Sequence, residues 1–475
     1  MKQKMSKFLT DSKPVLKKLI EELSKEFEYV SILGTDSKGK SYSVRKTAVS
    51  VGDSFSTERG FVLRVYNGLG YSEYSFDVID GENIKKEIRR IAKTDIEFLK
   101  SKNLERIKYP VIEEEALTKS FYAEVKESFD SMNDEQKIKR LESIMKKGFD
   151  YCPEMIDFQV RYEEVSVCKI FLSQKKDLEQ AYAYAISYLI PYLKKGEAVK
   201  YSYQAFSGNC GMEILHNVED NIKKSIDAAK ELLDAERIKP GVYDIICKQN
   251  VTGLIAHEAF GHGVEMDMFV KNRAKAKEFI GKKVASEITD MHDGAAAAEQ
   301  VSSYLFDDEG VLAQDTHIIE KGILKRGICD TLSALSLGIR PTGNGKRESF
   351  ERKAYTRMTN TFFSTKNSSL DEMIKSVDFG YLLDGYFSGM EDPKNWGIQC
   401  AVEKGYEIKD GKLTGKIVGP IFLTGYVPEL LSSISMISGD EDFELEGSGF
   451  CGKGYKEYVR TSAGGGYIKA RGRLG

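Results

Sequence analysis

The chain has 475 residues, 41% of them apolar and 30% charged, with 70 Lys+Arg against 73 Asp+Glu, a net charge of −3 and a pI near 6.1. Such a length exceeds one compact core, so about two or three domains are expected. The composition is that of a soluble globular protein, and the slightly acidic balance gives no global electrostatic case for nucleic acid or an anionic membrane.

The N-terminal stretch "MKQKMSKFLTDSKP" is polar and has no apolar h-region, so no secretory signal is read there. A helix is predicted over 14–28, with Leu16, Leu19, Ile20, Leu23 and Phe27 on one face and Pro14 in its first turn. Three β-rich runs follow, "YVSILGTD", "TAVSVGDSFSTERGF" and "FVLRVYNGLGYSEYSF", and read as an antiparallel meander. A second amphipathic helix is predicted over 83–100. A polar stretch, 101–118, leads to a helix at about 134–149 and four strands, "DFQVRYEEV", "VCKIFLSQ", "QAYAYAISYLI" and "AVKYSYQAF", with a hairpin turn at "KKGE". A long helix is expected over about 218–236. "KPG" at 239–241 is a stop-and-turn signal and marks the main boundary.

The expected fold class is α+β. An N-terminal α/β domain spans 1–238, with subregions of about 1–105 and 118–238. A β-rich C-terminal domain spans 239–475. The second opens on a strand, "VYDIICKQN", after which Asn250 can cap the helix "VTGLIAHEAFGHGVEMD". Beyond it the chain is mostly strands and turns, with a hairpin on Asp410-Gly411 and a helix at "VPELLSSISMI". No window approaches about 18 consecutive apolar residues. The seven cysteines form no C-x-x-C pair. They are read as reduced thiols of a cytoplasmic protein.

Chemistry concentrates in "HEAFGHGVEMD", residues 257–267, which joins His257, Glu258 and His262 in a chain with only five histidines. It is one residue longer than the zinc-protease pattern H-E-x-x-H. In a regular helix residues advance about 100°, so histidines five apart sit about 140° apart and cannot share one ion. A π-bulge restores convergence by absorbing one residue, and Gly261 and Gly263 weaken regular helix around His262. Non-ideal helix geometry is therefore predicted at 259–263. Glu258, beside the first histidine, is the candidate base acting on metal-bound water. A catalytic zinc has three protein ligands. Glu265, Asp267, Asp290, His292 and Cys451 all remain candidates for the third. A lone cysteine is more often structural, and His216 and His317 carry no motif.

The same motif resembles the metal motif of the TldD/PmbA family of metallopeptidases. "DDEG" (307–310), "TGNGKRESF" (342–350), "RMTNTFF" (357–363), the hairpin "EKGYEIKDGKLTGKIVGP" and "GSGFCGKG" (447–454) agree in order. The resemblance spans 241–455. It implies a two-part TldD/PmbA-like chain of the metal-bearing type, binding one Zn2+ per chain through His257, His262 and Cys451, with Glu258 as catalytic base. It further implies hydrolysis of short or unfolded peptides inside an enclosed cavity. The implied assembly is a dimer, with a metal-free TldE/PmbA-type paralogue or with itself, and with neither nucleic acid nor membrane as partner. "NGKRESF" and "RMTNT" show no metal-ligand logic and are read as turn or packing segments. The stretch after Cys451, "YKEYVRTSAGGGYIKARGRLG", is more basic and tyrosine-rich than the family pattern. The competing function is a non-catalytic regulatory or binding subunit, gyrase-modulator-like, with a structural or vestigial histidine pair. Hydrolysis of a non-peptide substrate is the third.

Overall fold

The computed structural model describes residues 1–102, 108–454 and 457–475; residues 103–107 of the polar linker and 455–456 behind the cysteine loop lie outside the described residues. Helix α1 runs Lys7–Leu23 and is capped by Ser6, whose side chain accepts from the Leu9 N–H. It therefore begins earlier than predicted, and Pro14 lies inside it. Pro14 is exposed, so the carbonyl left without its helical donor can be met by water, as on the outer face of a bent helix.

One nine-stranded sheet organises the first half. Its strands are β1 (Val30–Arg45), β2 (Ala48–Asp53), β3 (Glu58–Tyr66), β4 (Tyr71–Phe76), β5 (Leu117–Tyr122), β6 (Asp157–Ser173), β7 (Lys176–Lys195), β8 (Ala198–Tyr201) and β9 (Gln204–Gly208). The order is β4-β3-β1-β6-β7-β5, with β2 on β1 and with β8 and β9 on β7; only β5 pairs in parallel. The runs "DFQVRYEEV" and "VCKIFLSQ" are thus one strand. Its side chains alternate between two buried faces. Val160, Tyr162, Ile170 and Leu172 face the helices, while Val165, Val167 and Phe171 face the second half of the chain, against Val301 and Phe306. Helices α1 and α2 (Gly81–Ser101) cover one end of the helical face. At the other end lie α3 (Asp134–Tyr151), α4 (Ile214–Asp220) and α5 (Ile222–Leu233). The last two replace the single helix expected over 218–236. Asn221 separates them, its side-chain amide donating to the Asn217 carbonyl and competing with the helical ladder.

Two further sheets follow. In the seven-stranded one, Gly241–Cys247, Phe379–Asp392, Gly397–Lys409, Ile421–Tyr426 and Ile468–Leu474 pair in that order, and the last also pairs with the first, so the ring closes. The six-stranded one contains Thr316–Glu320, Met291–Asp293, Asn360–Phe363 and Ser462–Gly465 as successive neighbours. Helix α6 (Gln249–Ile255) lies against both, touching Phe379–Asp392 and Ser462–Gly465. A Cβ on Gly253 would sit 2.6 Å from the Gly464 nitrogen, which is how closely the helix is seated.

Asn250 is not the cap. The helix starts at Gln249 after Lys248, and the Asn250 side chain instead ties it sideways to Asp384 and the Gly385 N–H. The predicted helix at "VPELLSSISMI" is a short one, Val427–Ser432, followed by a strand at Met436–Ile437. Among the described residues no helix is long and apolar enough to cross a membrane. The fold is a mixed α/β architecture.

Candidate metal centre

The histidine motif begins where α6 stops being an α-helix. Ala256–Gly261 form a π-helix and His262–Val264 a single 3-10 turn, before α7 (Met266–Val270). The His262 N–H donates to the His257 carbonyl, five residues back. The extra residue of the motif is absorbed there, and the two imidazoles converge with ring centroids 5.1 Å apart and planes at 84°. Gly261 has ordinary helical torsions. Its need is for space, because a Cβ would lie 2.2 Å from the Met358 Sδ.

Cys451 arrives on the hairpin formed by Phe450–Lys453 and Glu457–Arg460. Its Sγ is 3.4 Å from His262 Nε2, and one donor atom from each of His257, His262 and Cys451 lies within 4.8 Å of the others. With Zn–S near 2.3 Å and Zn–N near 2.0 Å, a tetrahedral edge between sulfur and nitrogen is about 3.5 Å. The donor set, two imidazoles and a thiol, is of the type zinc takes. Burial opposes ionisation of Cys451, but the charges of His262 and His257 hold its thiol well below the usual value. Burial likewise opposes protonation of His262, yet Cys451 and Glu265 raise it well above the ordinary value. A cation between the donors would take the place of that proton, so the residues present fit such an ion.

Behind His262 stands a buried charge relay. Glu265 accepts from His262 Nδ1 at 3.1 Å, leaving Nε2 for the centre. Against the cost of burial, Lys453 and His262 bring the Glu265 carboxyl down to about 2. Lys453 is 3.1 Å from Glu265 and 2.7 Å from Asp267, and Arg357 donates to the Cys451 carbonyl. Glu265 and Asp267, two of the candidate third ligands, therefore brace the site instead of completing the donor set. Glu258 Oε2 is 4.0 Å from His262 Nε2. The Glu258 and His262 side chains keep 14% and 20% exposure, so both can be approached from outside. Gly389 lets Glu258 in, since a Cβ there would be 2.4 Å from its Cγ. Next to it the Glu391 carboxylate presses on Gly263, and burial pushes its pKa well up.

The remaining candidates lie elsewhere. Asp290 pairs with Lys366 at 2.6 Å, His216 with Glu127 at 2.9 Å, and His292 and His317 both face Asp315. The segments without ligand logic pack the interior. Asp293 accepts from Asn344 Nδ2 at 2.7 Å and from the Thr359 N–H at 3.0 Å, and Asp307 accepts from the Gly345 N–H at 2.8 Å. Arg347 and Arg64 reach Glu73 and Glu309 at 2.5 and 2.7 Å, joining the second half to β3 and β4. A cavity of about 140 Å³ between the halves is lined by Lys169, Tyr182, Asp308, Lys346, Phe450 and Tyr458, beside the Cys451 hairpin and apart from the histidines.

Sequence reasoning missed Lys453, Arg357, Gly389 and Glu391. A signal existed for one. In a strand, residues two apart share a face, so Lys453 belongs with Cys451.

Comparison with known proteins adds to this geometry. Residues 240–472 match the family model described as the PmbA/TldA metallopeptidase C-terminal domain. A Metalloprotease TldD homolog of Buchnera aphidicola is 31% identical over 300 residues, covering 62% of this chain and 61% of the relative. The matched stretch thus spans less than two thirds of that relative's length. A Zinc metalloprotease TldD homolog of Saccharolobus solfataricus is 27% identical over 345 residues, 71% of this chain and 75% of the relative. Among solved structures, TldE from Thermococcus kodakarensis superposes with a TM-score of 0.71 at 19% identity, over 97% of this chain and 99% of that one. A Thermotoga maritima structure described as a candidate modulator of a DNA gyrase gives 0.77 at 17%, over 98% and 100%. These two likenesses show a shared fold. By this family match and its metalloprotease relatives, the C-terminal part of the chain, residues 240–472, belongs to the TldD/PmbA family.

Proposed function

We propose that this chain is a zinc-dependent peptidase that hydrolyses short or unfolded peptides, with one zinc held by His257, His262 and Cys451 and with Glu258 as the base. The observation that carries the reading is the convergence of two imidazoles and a thiol beside a part-exposed carboxylate. A relative named as a zinc metalloprotease supports the choice of metal. Bound zinc would supply Lewis acidity to the scissile carbonyl and to the attacking water. The chain's residues do the rest. Glu258 Oε2 takes the water's proton and returns it to the leaving amine nitrogen. Glu265 holds His262 in the tautomer that offers Nε2, and Lys453 keeps Glu265 ionised.

The wider reading includes a partner. The chain pairs with a metal-free TldE/PmbA-type paralogue or with a second copy, and the pair encloses the site so that an extended segment enters and a folded domain does not. Likeness to a TldE fold supports this. The division into 1–238 and 239–475 belongs to the same proposal, the first part backing the second through the face of β6 and β7 that meets Val301 and Phe306.

The test is zinc analysis of the purified chain together with a Glu258→Gln variant and an unstructured peptide substrate. About one zinc at this centre, retained by a variant that no longer cleaves, supports the reading. Absence of zinc overturns it in favour of a non-catalytic subunit, and full cleavage by the variant overturns the mechanism with Glu258 as base.

A further inference from the structure

We infer that His292, Asp315 and His317 form a second divalent-cation site, of the zinc, nickel and copper class, on the surface of the six-stranded sheet. It does not depend on the peptidase reading. The site is built across two strands. Met291–Asp293 and Thr316–Glu320 are antiparallel, and His292 lies directly opposite His317, just past a register shift at Met291/His292. Opposed residues of an antiparallel pair have Cβ atoms about 4.5–5.5 Å apart, within reach of one shared ion. The two ring centroids are 4.2 Å apart.

Asp315 supplies the third donor from the residue preceding its strand. One carboxylate oxygen is 2.8 Å from His292 Nδ1 and the other is 3.4 Å from His317 Nε2. One donor atom from each of the three residues lies within 4.8 Å of the others. Two imidazoles and one carboxylate suit zinc, nickel or copper; calcium and magnesium take oxygen ligands.

The plain alternative is an ordinary surface hydrogen-bond cluster, which contributes little. Two observations favour an ion. Two of the chain's five histidines meet here, although they are 25 positions apart (317 − 292). And the His292 ring is already fixed, its side chain 14% exposed and its plane within 4° of Phe362 at 5.3 Å. A ligand held by packing loses little freedom on binding. The His317 side chain is 58% exposed, so the open coordination positions face solvent and the site is the weaker of the two.

The ion would clip Thr316–Glu320 to Met291–Asp293. The latter neighbours Asn360–Phe363, which pairs with the strand that backs α6. The proposed role is a structural clip on the sheet behind the histidine helix. Zinc titration of the full chain, counted after equilibrium dialysis near neutral pH, tests it. The expected result is one ion fewer per chain at saturation in His317→Ala and in Asp315→Asn than in wild type, with circular dichroism unchanged. A count that neither substitution lowers overturns it, whatever the buried centre binds.

Discussion

His257 and His262 sit five residues apart on one helix and take their third donor from a hairpin 189 positions beyond His262. His292 and His317 face each other on neighbouring strands, with Asp315 two positions from one of them. The first group is largely buried and has Glu265, Lys453 and Arg357 standing behind it. The second has one stacked ring and is open on its outer side. Two imidazoles are common to both, so the donor atoms alone do not separate the proposed reaction centre from the proposed clip. The difference lies in the supporting layer and in the neighbouring carboxylate, Glu258, which the second group lacks.

That contrast can be broken at several points. The largest effect is expected from Glu258→Gln, which should lower cleavage of an unstructured peptide by about 10²–10⁴-fold while zinc content stays constant; an unchanged rate would make the two groups functionally alike. Glu265→Gln should weaken zinc at the buried centre by about 10–100-fold, read by competition with a chromophoric chelator, and should leave the exposed group untouched. The same residue gives a pH signature. Its folded value of about 2 is below the ordinary value of about 4.3. Its stabilising contribution is therefore complete above the ordinary value and is lost as pH falls through the folded one. The difference in Tm between wild type and variant should shrink across that window. Gly261→Ala forces a Cβ onto the buried Met358 and should cost about 1–3 kcal/mol in denaturant unfolding. Smallest is His317→Ala without added metal, within about 0.5 kcal/mol of wild type.

Parts of this were legible in the sequence because local physics decides them. Five-residue spacing with a glycine before the second histidine calls for an irregular helix, and Ala256–Gly261 is one. Strand identity was readable from alternation, but strand length was not. β6 is buried on both faces, and the break between the two runs read for it falls at Ser166, in mid-strand. The start of α1 was misplaced because Pro14 outweighed the Ser6 cap, although an exposed proline is tolerated mid-helix. At the candidate centre, Cys451 stood as one of five candidates for the third ligand until family resemblance singled it out, since no spacing rule links it to a helix so far away in the chain. Lys453 and Arg357 lie in the matched segments "GSGFCGKG" and "RMTNTFF", but neither has a ligand logic of its own, and their role exists only once Glu265 is buried between them. Nor could the pairing of His292 with His317 be read, because it depends on the register of two strands.

The π-helix also sets the phase of everything that follows it. A helix that gains one residue leaves the later chain rotated and advanced relative to the uninterrupted course. Deleting Ala259 would restore the familiar H-E-x-x-H spelling, yet it would turn the segment beyond by about 100° and draw it back about 1.5 Å. Glu265 and Asp267 would then meet Lys453 out of step, and the hairpin that delivers Cys451 is tied to that lysine. The longer spelling and the distant cysteine are thus in register with each other, and the motif cannot be shortened toward the commoner one without rebuilding the opposite wall of the site.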